Sequence, residues 1–387
     1  MTKIMWEPFP NYVWNLSTNL AVMCGGNLGE VNAACTPILE AARAGEDAGT
    51  ALFFDSWMDV ANKVLASADA DLAKGRHLSA GIKYQRASNY LLTAERMQAR
   101  DYPPRMQAYK DGLAYFRKGI ELQGLKVEFV QIPYEGAHYT ALFIPADVEG
   151  PAPCVVSCNG LDSMKEQIFG AGNPEANRVR GMHTLLIDQP GTGEALRLLG
   201  LCGRYDAEGW GSAAFDYLLT RPEVDPKRIG MFGLSLGGYF APRVASMDNR
   251  FALCCVMGAN HNWGEMQKRR MAREGDNPVP HYWDHVRWVF GKDSQQTFMD
   301  WAPNMDLTPV IGRMRCPFFI MHGGGDRQIP VEYAEQSRDQ AVNAAKVDFF
   351  ITGPEHFEVE HCGADNGTFM RDMLADWMAE TFAEMDG

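Results

Sequence analysis

The pattern of apolar and polar positions changes character about a third of the way along the chain. Up to residue 123, apolar residues recur at helical spacing, glycine and proline interrupt them, and no short apolar run indicates a strand. The helical segments are 11–23, 30–44, 53–73, 78–98 and 106–122. We therefore expect an all-helical N-terminal domain over residues 1–123.

After Gly124 the chain alternates between short apolar runs and helical patterns. The predicted strands are 126–133, 138–145, 153–157, 184–187, 229–232, 253–257, 317–321 and 347–351. Helical patterns fall at 165–179, 209–219, 236–246, 331–343 and 368–384. Glu135-Gly136 marks a hairpin between the first two strands, and the rest alternates in the manner of a parallel sheet. Residues 124–387 are thus predicted to form an α/β domain with an eight-stranded, mostly parallel sheet.

One long insertion breaks this alternation, because some fifty residues, 260–314, separate the sixth strand from the seventh. Its aromatic side chains, Trp263, Tyr282, Trp283 and Trp288, suit a cap over a flat substrate or an ordinary hydrophobic cap. Only Gln123-Gly124 joins the helical half to the first strand. So short a connection predicts that the helices dock beside the cap and help to close the pocket.

The chemistry is predicted at Gly233-Leu-Ser235-Leu-Gly237, which follows a strand and opens a helix of small residues. This is the G-x-S-x-G nucleophile elbow, in which a sharp turn exposes a serine at a helix N-terminus. A glycine-rich turn with a chance serine is the plainer interpretation, but the flanking strand and helix favour a nucleophile. The Leu236 amide, directly after the serine, is then one expected oxyanion donor.

A serine nucleophile needs a base, and the base needs an acid that orients it. With this elbow the chain order is serine, acid, histidine. Asp326 follows the seventh strand in His322-Gly-Gly-Gly-Asp326, so we expect it to be the acid rather than a simple turn or cap residue. After the eighth strand the residues alone leave the base open between His356 and His361.

The second oxyanion donor is expected in the loop after the third strand. Gly160 allows close approach of the backbone, so the Gly160 or the Leu161 amide is the candidate. Asp162 lies in the same loop. It could cap the following helix, contact the substrate, or donate a proton if burial raises its pKa.

Composition excludes several classes of function. A net charge of −13 and the lack of a basic stripe argue against nucleic acid and anionic membranes as partners. The nine cysteines form no CxxC pair and lie mostly in apolar runs, so we expect reduced thiols, a cytoplasmic location, no metal and no cofactor.

Four motifs together carry a family resemblance: 159–166, Asp188-Gln-Pro-Gly-Thr-Gly-Glu194, 221–230 and 233–238. The chain resembles the α/β-hydrolases with an N-terminal helical domain. This group includes 2,6-dihydropseudooxynicotine hydrolase, fungal polyketide-shortening hydrolases and fermentation-respiration-switch esterase-like proteins. The resemblance implies an α/β-hydrolase fold, a Ser-Asp-His triad and a homodimer. The group's Glu-His-x-x-x-Asp-Asn stretch matches 360–366 and implies that His361 is the base. Where this chain has Asp162, the dihydropseudooxynicotine hydrolase pattern has glutamate.

These expectations define three functional hypotheses. The first is a serine hydrolase, with Ser235, Asp326 and His361, that cleaves a carbon–carbon bond next to a ketone in an aromatic or polyketide-like small molecule. The second is hydrolysis of an ester, thioester or amide with the same triad. The third is a catalytically silent hydrolase fold that only binds its ligand.

Overall fold

The first part of the chain is helical in the computed structural model, which describes residues 5–44, 50–96, 98–274 and 281–385. Five helices precede the first strand: α1 Tyr12–Met23, α2 Leu28–Arg43, α3 Thr50–Leu72, α4 His77–Arg96 and α5 Pro103–Gln123. Asn11 and Asn27 cap the first two with their side-chain oxygens, and Gly124 ends α5 in a left-handed conformation, φ +64°. The aromatic rings of Phe53, Trp57 and Tyr90 share the core of these helices.

The second part forms a single eight-stranded sheet, as predicted. Its strands are β1 Glu128–Tyr134, β2 Ala137–Ile144, β3 Ala152–Cys158, β4 His183–Ile187, β5 Val224–Leu234, β6 Leu253–Met257, β7 Phe318–Gly323 and β8 Val347–Thr352. The spatial order is β1-β2-β4-β3-β5-β6-β7-β8; β2 pairs antiparallel with both neighbours and the remaining pairs are parallel. Glu135 and Gly136, both with positive φ, make the predicted hairpin turn. This order places the elbow after β5 in the middle of the sheet.

The remaining helices cover the sheet or form the insertion between β6 and β7. They are α6 Lys165–Gly170, α7 Asn173–Arg178, α8 Gly193–Arg197, α9 Glu208–Leu218, α10 Gly237–Met247, α11 Trp263–Glu274, α12 Tyr282–Val289, α13 Gln295–Trp301, α14 Val331–Gln340 and α15 Gly367–Glu384. The predicted single helix 165–179 is wrong. Gly172 takes φ +83°, a left-handed conformation that breaks the segment into α6 and α7.

A buried charge cluster joins the N-terminal helices α4 and α5 to α8 in the second part of the chain. Glu95 on α4 accepts hydrogen bonds from Arg105 Nε on α5 (2.7 Å) and from Arg197 Nε on α8 (2.8 Å). All three side chains are almost fully buried. Burial opposes ionisation of Glu95, but the two guanidinium groups outweigh it and lower its pKa from 4.5 to about 2. The cluster therefore holds its charges only while all three groups are present.

Two further observations concern membrane-spanning helices and the state of the cysteines. Among the described helices, none combines the length and apolar character needed to cross a lipid bilayer. All nine cysteines are free thiols, and Cys202 alone of them is not fully buried. The cytoplasmic location stays a prediction.

We predict that Glu95→Gln lowers the free energy of unfolding by about 3–5 kcal/mol, because it leaves two buried guanidinium groups without a counter-charge. Urea unfolding at pH 7 measures the change, with the exposed Glu40→Gln on α2 as the control. The pKa of Glu95 is lower in the folded than in the unfolded protein. The stabilisation that its ionised carboxylate provides is therefore present above pH 4.5 and is lost as the pH falls toward 2. A loss below 1 kcal/mol at pH 7 would contradict this role.

Candidate active site

The turn between β5 and α10 holds Ser235 in a strained backbone conformation. Ser235 has φ +58°, and its amide donates to the Met257 carbonyl oxygen at 2.9 Å. A Cβ on Gly233 would lie 2.1 Å from the Gly237 carbonyl oxygen, and one on Gly160 would lie 3.0 Å from the Ser235 Cβ. Glycine is therefore a steric requirement at this turn, as the elbow motif predicts.

Three side chains from three loops form a hydrogen-bonded chain. The Ser235 hydroxyl lies 2.8 Å from His361 Nε2, and His361 Nδ1 lies 2.8 Å from Asp326 Oδ2. The other Asp326 oxygen accepts the amides of Gln328 and Ile329 at 2.7 and 2.9 Å. The carboxylate is thus fixed by its own loop while it orients the imidazole.

The Asp326 carboxylate stabilises positive charge on the imidazole of His361. Burial disfavours charge on both partners, but Asp326 outweighs it and raises the pKa of His361 well above its usual range. Burial likewise opposes ionisation of Asp326, and His361 outweighs it and lowers the pKa of that carboxyl. The pair is therefore suited to hold a proton taken from Ser235.

The other candidate histidine, His356, contacts Gly353 and Phe369 instead of Ser235. Its Nδ1 accepts the Gly353 amide at 3.0 Å, and its ring stacks on Phe369 with centroids 5.1 Å apart. It is not among the described residues that line the cavity around Ser235. The geometry therefore brings His361, and not His356, to the serine.

Two backbone amides beside Ser235 have no acceptor in the described part of the chain: those of Leu161 and Leu236. Both residues line the cavity. The Gly160 amide, the other candidate, already donates to the Ser163 hydroxyl at 2.9 Å. Of the two amides that the sequence offered in this loop, Leu161 is the one left available to an oxyanion.

A buried network fixes the loop that carries Leu161. Asn159 donates from its side chain to the Ile187 carbonyl oxygen at 2.7 Å, and its backbone exchanges hydrogen bonds with the Gln189 side chain. Next to it, Lys165 Nζ lies 2.8 Å from Glu166 and 2.9 Å from Asp188. These carboxylates and that of Glu194 are close enough together to hold a metal ion. The Lys165 ammonium already serves as their cation, however, so the cluster supports the loop.

A cavity of about 180 Å³ opens over Ser235, and both halves of the chain line it. Its apolar wall includes Leu16 and Leu20 of α1 and Trp263 and Met266 of the insertion; Arg96, Asp162, Arg270 and His285 add polar groups. Of the four insertion aromatics singled out from the sequence, Trp263 and Tyr282 line the cavity. Trp283 packs on Phe298, and Trp288 lies under Arg105.

Arg327 connects the loops of the acid and the base to the N-terminal segment. Its Nη2 lies 2.7 Å from Glu360, the neighbour of His361, and 2.5 Å from Glu7. Its guanidinium also lies over the Tyr12 ring, 4.0 Å from the centroid. One side chain, adjacent to Asp326, thus joins three segments around the candidate site.

Sequence reasoning missed Arg96, His285 and Arg327, which carry no motif. The proposed helix cap at Asp162 is wrong, because Met164 occupies the N-cap of α6 and Asp162 pairs with Arg96 Nε at 2.8 Å. Burial opposes its ionisation, but the Arg96 guanidinium outweighs it and lowers the pKa of Asp162. The proton-donor interpretation of Asp162 therefore loses its physical basis.

Comparison with known proteins agrees with this fold. The Esterase FrsA-like family matches residues 56–268, more than half of the chain, and the Prolyl oligopeptidase family matches residues 208–357. The chain is 26% identical to 2,6-dihydropseudooxynicotine hydrolase of Paenarthrobacter nicotinovorans, over 84% of this chain and 83% of the relative. It is 30% identical to alpha/beta hydrolase psoB of Aspergillus fumigatus, over 83% and 80%. It is 29% identical to 20-hydroxy-prefusarin hydrolase FUS2 of Gibberella moniliformis, over 83% of each.

Solved structures show the same architecture. The crystal structure of the 2,6-dihydroxy-pseudo-oxynicotine hydrolase superposes with a TM-score of 0.76 at 22% identity, covering 95% of this chain and 96% of the other. Wild-type AbyA5 superposes with a TM-score of 0.66 at 19% identity, covering 97% and 100%. The suspected resemblance is confirmed: the chain has the α/β-hydrolase fold, belongs to the FrsA-like esterase family and is a hydrolase.

Proposed function

We propose that this hydrolase is a serine hydrolase that uses Ser235 as nucleophile, His361 as general base and acid, and Asp326 as the orienting acid. The observation that carries the proposal is the hydrogen-bonded chain from Ser235 through His361 to Asp326, with both links at 2.8 Å. The unpaired amides of Leu161 and Leu236 beside the serine support an oxyanion hole.

The reaction follows from these positions. Ser235 Oγ attacks a carbonyl carbon, its proton passes to His361 Nε2, and the Leu161 and Leu236 amides donate to the oxyanion. The tetrahedral adduct collapses, the bond to the leaving group breaks, and the leaving group takes the proton from His361. Water then attacks the acyl-serine, again gives a proton to His361, and releases a carboxylic acid while the proton returns to Ser235 Oγ.

For the bond cleaved we propose a carbon–carbon bond next to a ketone, in an aromatic or polyketide-like small molecule. Such a leaving group departs as a carbanion, so it must delocalise charge, and conjugated groups of this kind are flat. The indole of Trp263 and the ring of Tyr282 line the cavity and provide flat apolar surfaces. The names of two relatives, the dihydropseudooxynicotine and prefusarin hydrolases, support a small organic substrate.

Ester, thioester or amide hydrolysis is the alternative, because the FrsA-like family is described as an esterase family and the same groups perform that reaction. A silent binding protein is the third hypothesis. It is disfavoured by the alignment of Ser235, His361 and Asp326, since a protein that only binds has no need of it.

We further propose that residues 1–123 form a lid domain beside the catalytic domain 124–387, and that 260–314 form a cap. Leu16, Leu20 and Arg96 from the first range and Trp263 from the third line the cavity together, which supports the assignment. The Thr50 hydroxyl of the proposed lid lies 3.1 Å from His281 Nε2 of the proposed cap, so the two contact each other. Closing the opening from both sides would exclude bulk water from the acyl-enzyme. The homodimer remains a prediction.

Ser235→Ala should lower kcat by at least about 10³-fold, because the acyl-enzyme can no longer form. The measurement is turnover of 4-nitrophenyl butyrate, together with labelling by a fluorophosphonate probe, with an unchanged thermal unfolding curve as the control for folding. Activity within about tenfold of wild type would remove Ser235 from the mechanism. A folded wild-type protein that neither turns over the ester nor takes the label would favour the silent-binder hypothesis.

Changing the two histidines separately distinguishes the base. We expect His361→Ala to lose at least about 10³-fold in kcat, and His356→Ala to stay within about fivefold of wild type, because only His361 contacts Ser235. The same ester assay measures both variants. The opposite order would overturn the assignment.

Leu20→Trp should narrow the cavity from the lid side. The ratio of kcat/KM for 4-nitrophenyl octanoate to that for the acetate is expected to fall about tenfold or more, since a long acyl chain needs the space that the indole would fill. Leu28→Trp, at a residue 61% exposed on α2, is the matched control and should leave the ratio unchanged. Equal ratios in wild type and Leu20→Trp would show that α1 does not bound the acyl site.

A further inference from the structure

Arg96, at the end of α4, presents unpaired hydrogen-bond donors to the cavity over Ser235. Its side chain is only 5% exposed, and its Nε donates to Asp162 Oδ2 at 2.8 Å. Its two terminal nitrogens have no acceptor among the described residues. Buried guanidinium groups normally have an acceptor for their N–H donors. Since Arg96 lines the cavity, a molecule bound there could supply the acceptor that its terminal nitrogens lack.

The buried charged groups behind Arg96 carry a net positive charge, although the chain as a whole carries −13. At the cavity wall, the guanidinium of Arg96 is paired with the carboxylate of Asp162. His285 adds no charge, because burial and the nearby Arg105 lower its pKa to about 4. In the buried cluster behind this wall, Arg105 and Arg197 share the single carboxylate of Glu95. The local field therefore favours an anion.

The Arg96 side chain is also attached to the loop that carries the candidate oxyanion hole. Its partner Asp162 follows Leu161 directly, and Leu161 supplies one of the two unpaired amides beside Ser235. The ion pair thus links the direction of the guanidinium to the loop that contacts the reacting carbonyl. A group bound by Arg96 would belong to the same substrate molecule, since Arg96, Leu161 and Ser235 line one cavity.

We propose that the substrate carries a carboxylate group, that the terminal nitrogens of Arg96 bind it in bidentate fashion, and that Asp162 is a positioning residue for Arg96. A guanidinium fork matches the geometry of a carboxylate, and burial strengthens the pair. The proposal rests on the serine hydrolase function above and narrows its substrate class to acyl compounds with a second, anionic end.

The test compares two esters of similar length that differ in charge: mono-4-nitrophenyl glutarate and 4-nitrophenyl butyrate. The ratio of their kcat/KM values is measured in wild type, Arg96→Gln, Arg96→Lys and Asp162→Asn. We expect Arg96→Gln to lower the glutarate-to-butyrate ratio at least about tenfold, mainly through KM, because the anion loses its counter-charge. Arg96→Lys should restore part of the ratio, and Asp162→Asn should lower it through KM, because the weaker hydrogen bond from Arg96 Nε no longer fixes the direction of the guanidinium.

Arg86→Gln is the matched control, because Arg86 lies on the same helix and makes the same kind of pair, Nε to Glu30 at 2.7 Å, outside the cavity. It should leave the ratio unchanged. A ratio that is equal in wild type and Arg96→Gln, or that falls equally in Arg86→Gln, would overturn the proposal.

Failure of the serine hydrolase function gives a different result: wild type cleaves neither ester and takes no fluorophosphonate label. In that case, calorimetric titration with glutarate still tests the carboxylate site. Binding by wild type that weakens about tenfold or more in Arg96→Gln supports it, and no binding, or equal binding, overturns it. Equal thermal unfolding curves establish that the Arg96 variants are folded.

Discussion

The close contact at the turn after β5 is the constraint on which the site depends. Ser235 can hold φ +58° only because Gly233, Gly237 and Gly160 let three backbone segments approach within van der Waals distance. Every other element of the site approaches this fixed point. The Leu161 amide comes from a loop fixed by Asn159, and the imidazole of His361 comes from the segment that follows the edge strand β8.

Polar groups that are buried and almost completely paired keep these loops in place. Asp326 uses one oxygen for its own loop and the other for His361, and Lys165 pairs with a group of carboxylates next to the loop of Leu161. The Glu95 cluster does the same between the N-terminal helices and α8. In such networks the loss of one partner costs more than the pair contributes, which makes each position sensitive to substitution.

The sequence predicted what periodicity and local motifs encode. The eight strands and the elbow follow from residues near one another in the chain, and the contact between Ser235 and His361 matches a pairing implied by family resemblance. Long-range pairings without a motif could not be predicted. Arg96 meets Asp162 across 66 positions, and a single arginine near a helix end is otherwise an ordinary surface residue. The break at Gly172 was missed because the flanking residues keep a helical pattern on both sides.

The contacts of Arg327 make the active site depend on the docking of the N-terminal segment. Because this one guanidinium contacts Glu7, Tyr12 and Glu360, the segment before α2 holds the loops of Asp326 and His361 together from outside the sheet. Local release of that segment would remove two of these contacts of Arg327, and the Leu16 and Leu20 side of the cavity wall, while the sheet stayed intact. Loss of activity on heating would then precede loss of secondary structure, and inactivation would report the undocking of the N-terminus rather than the melting of the fold.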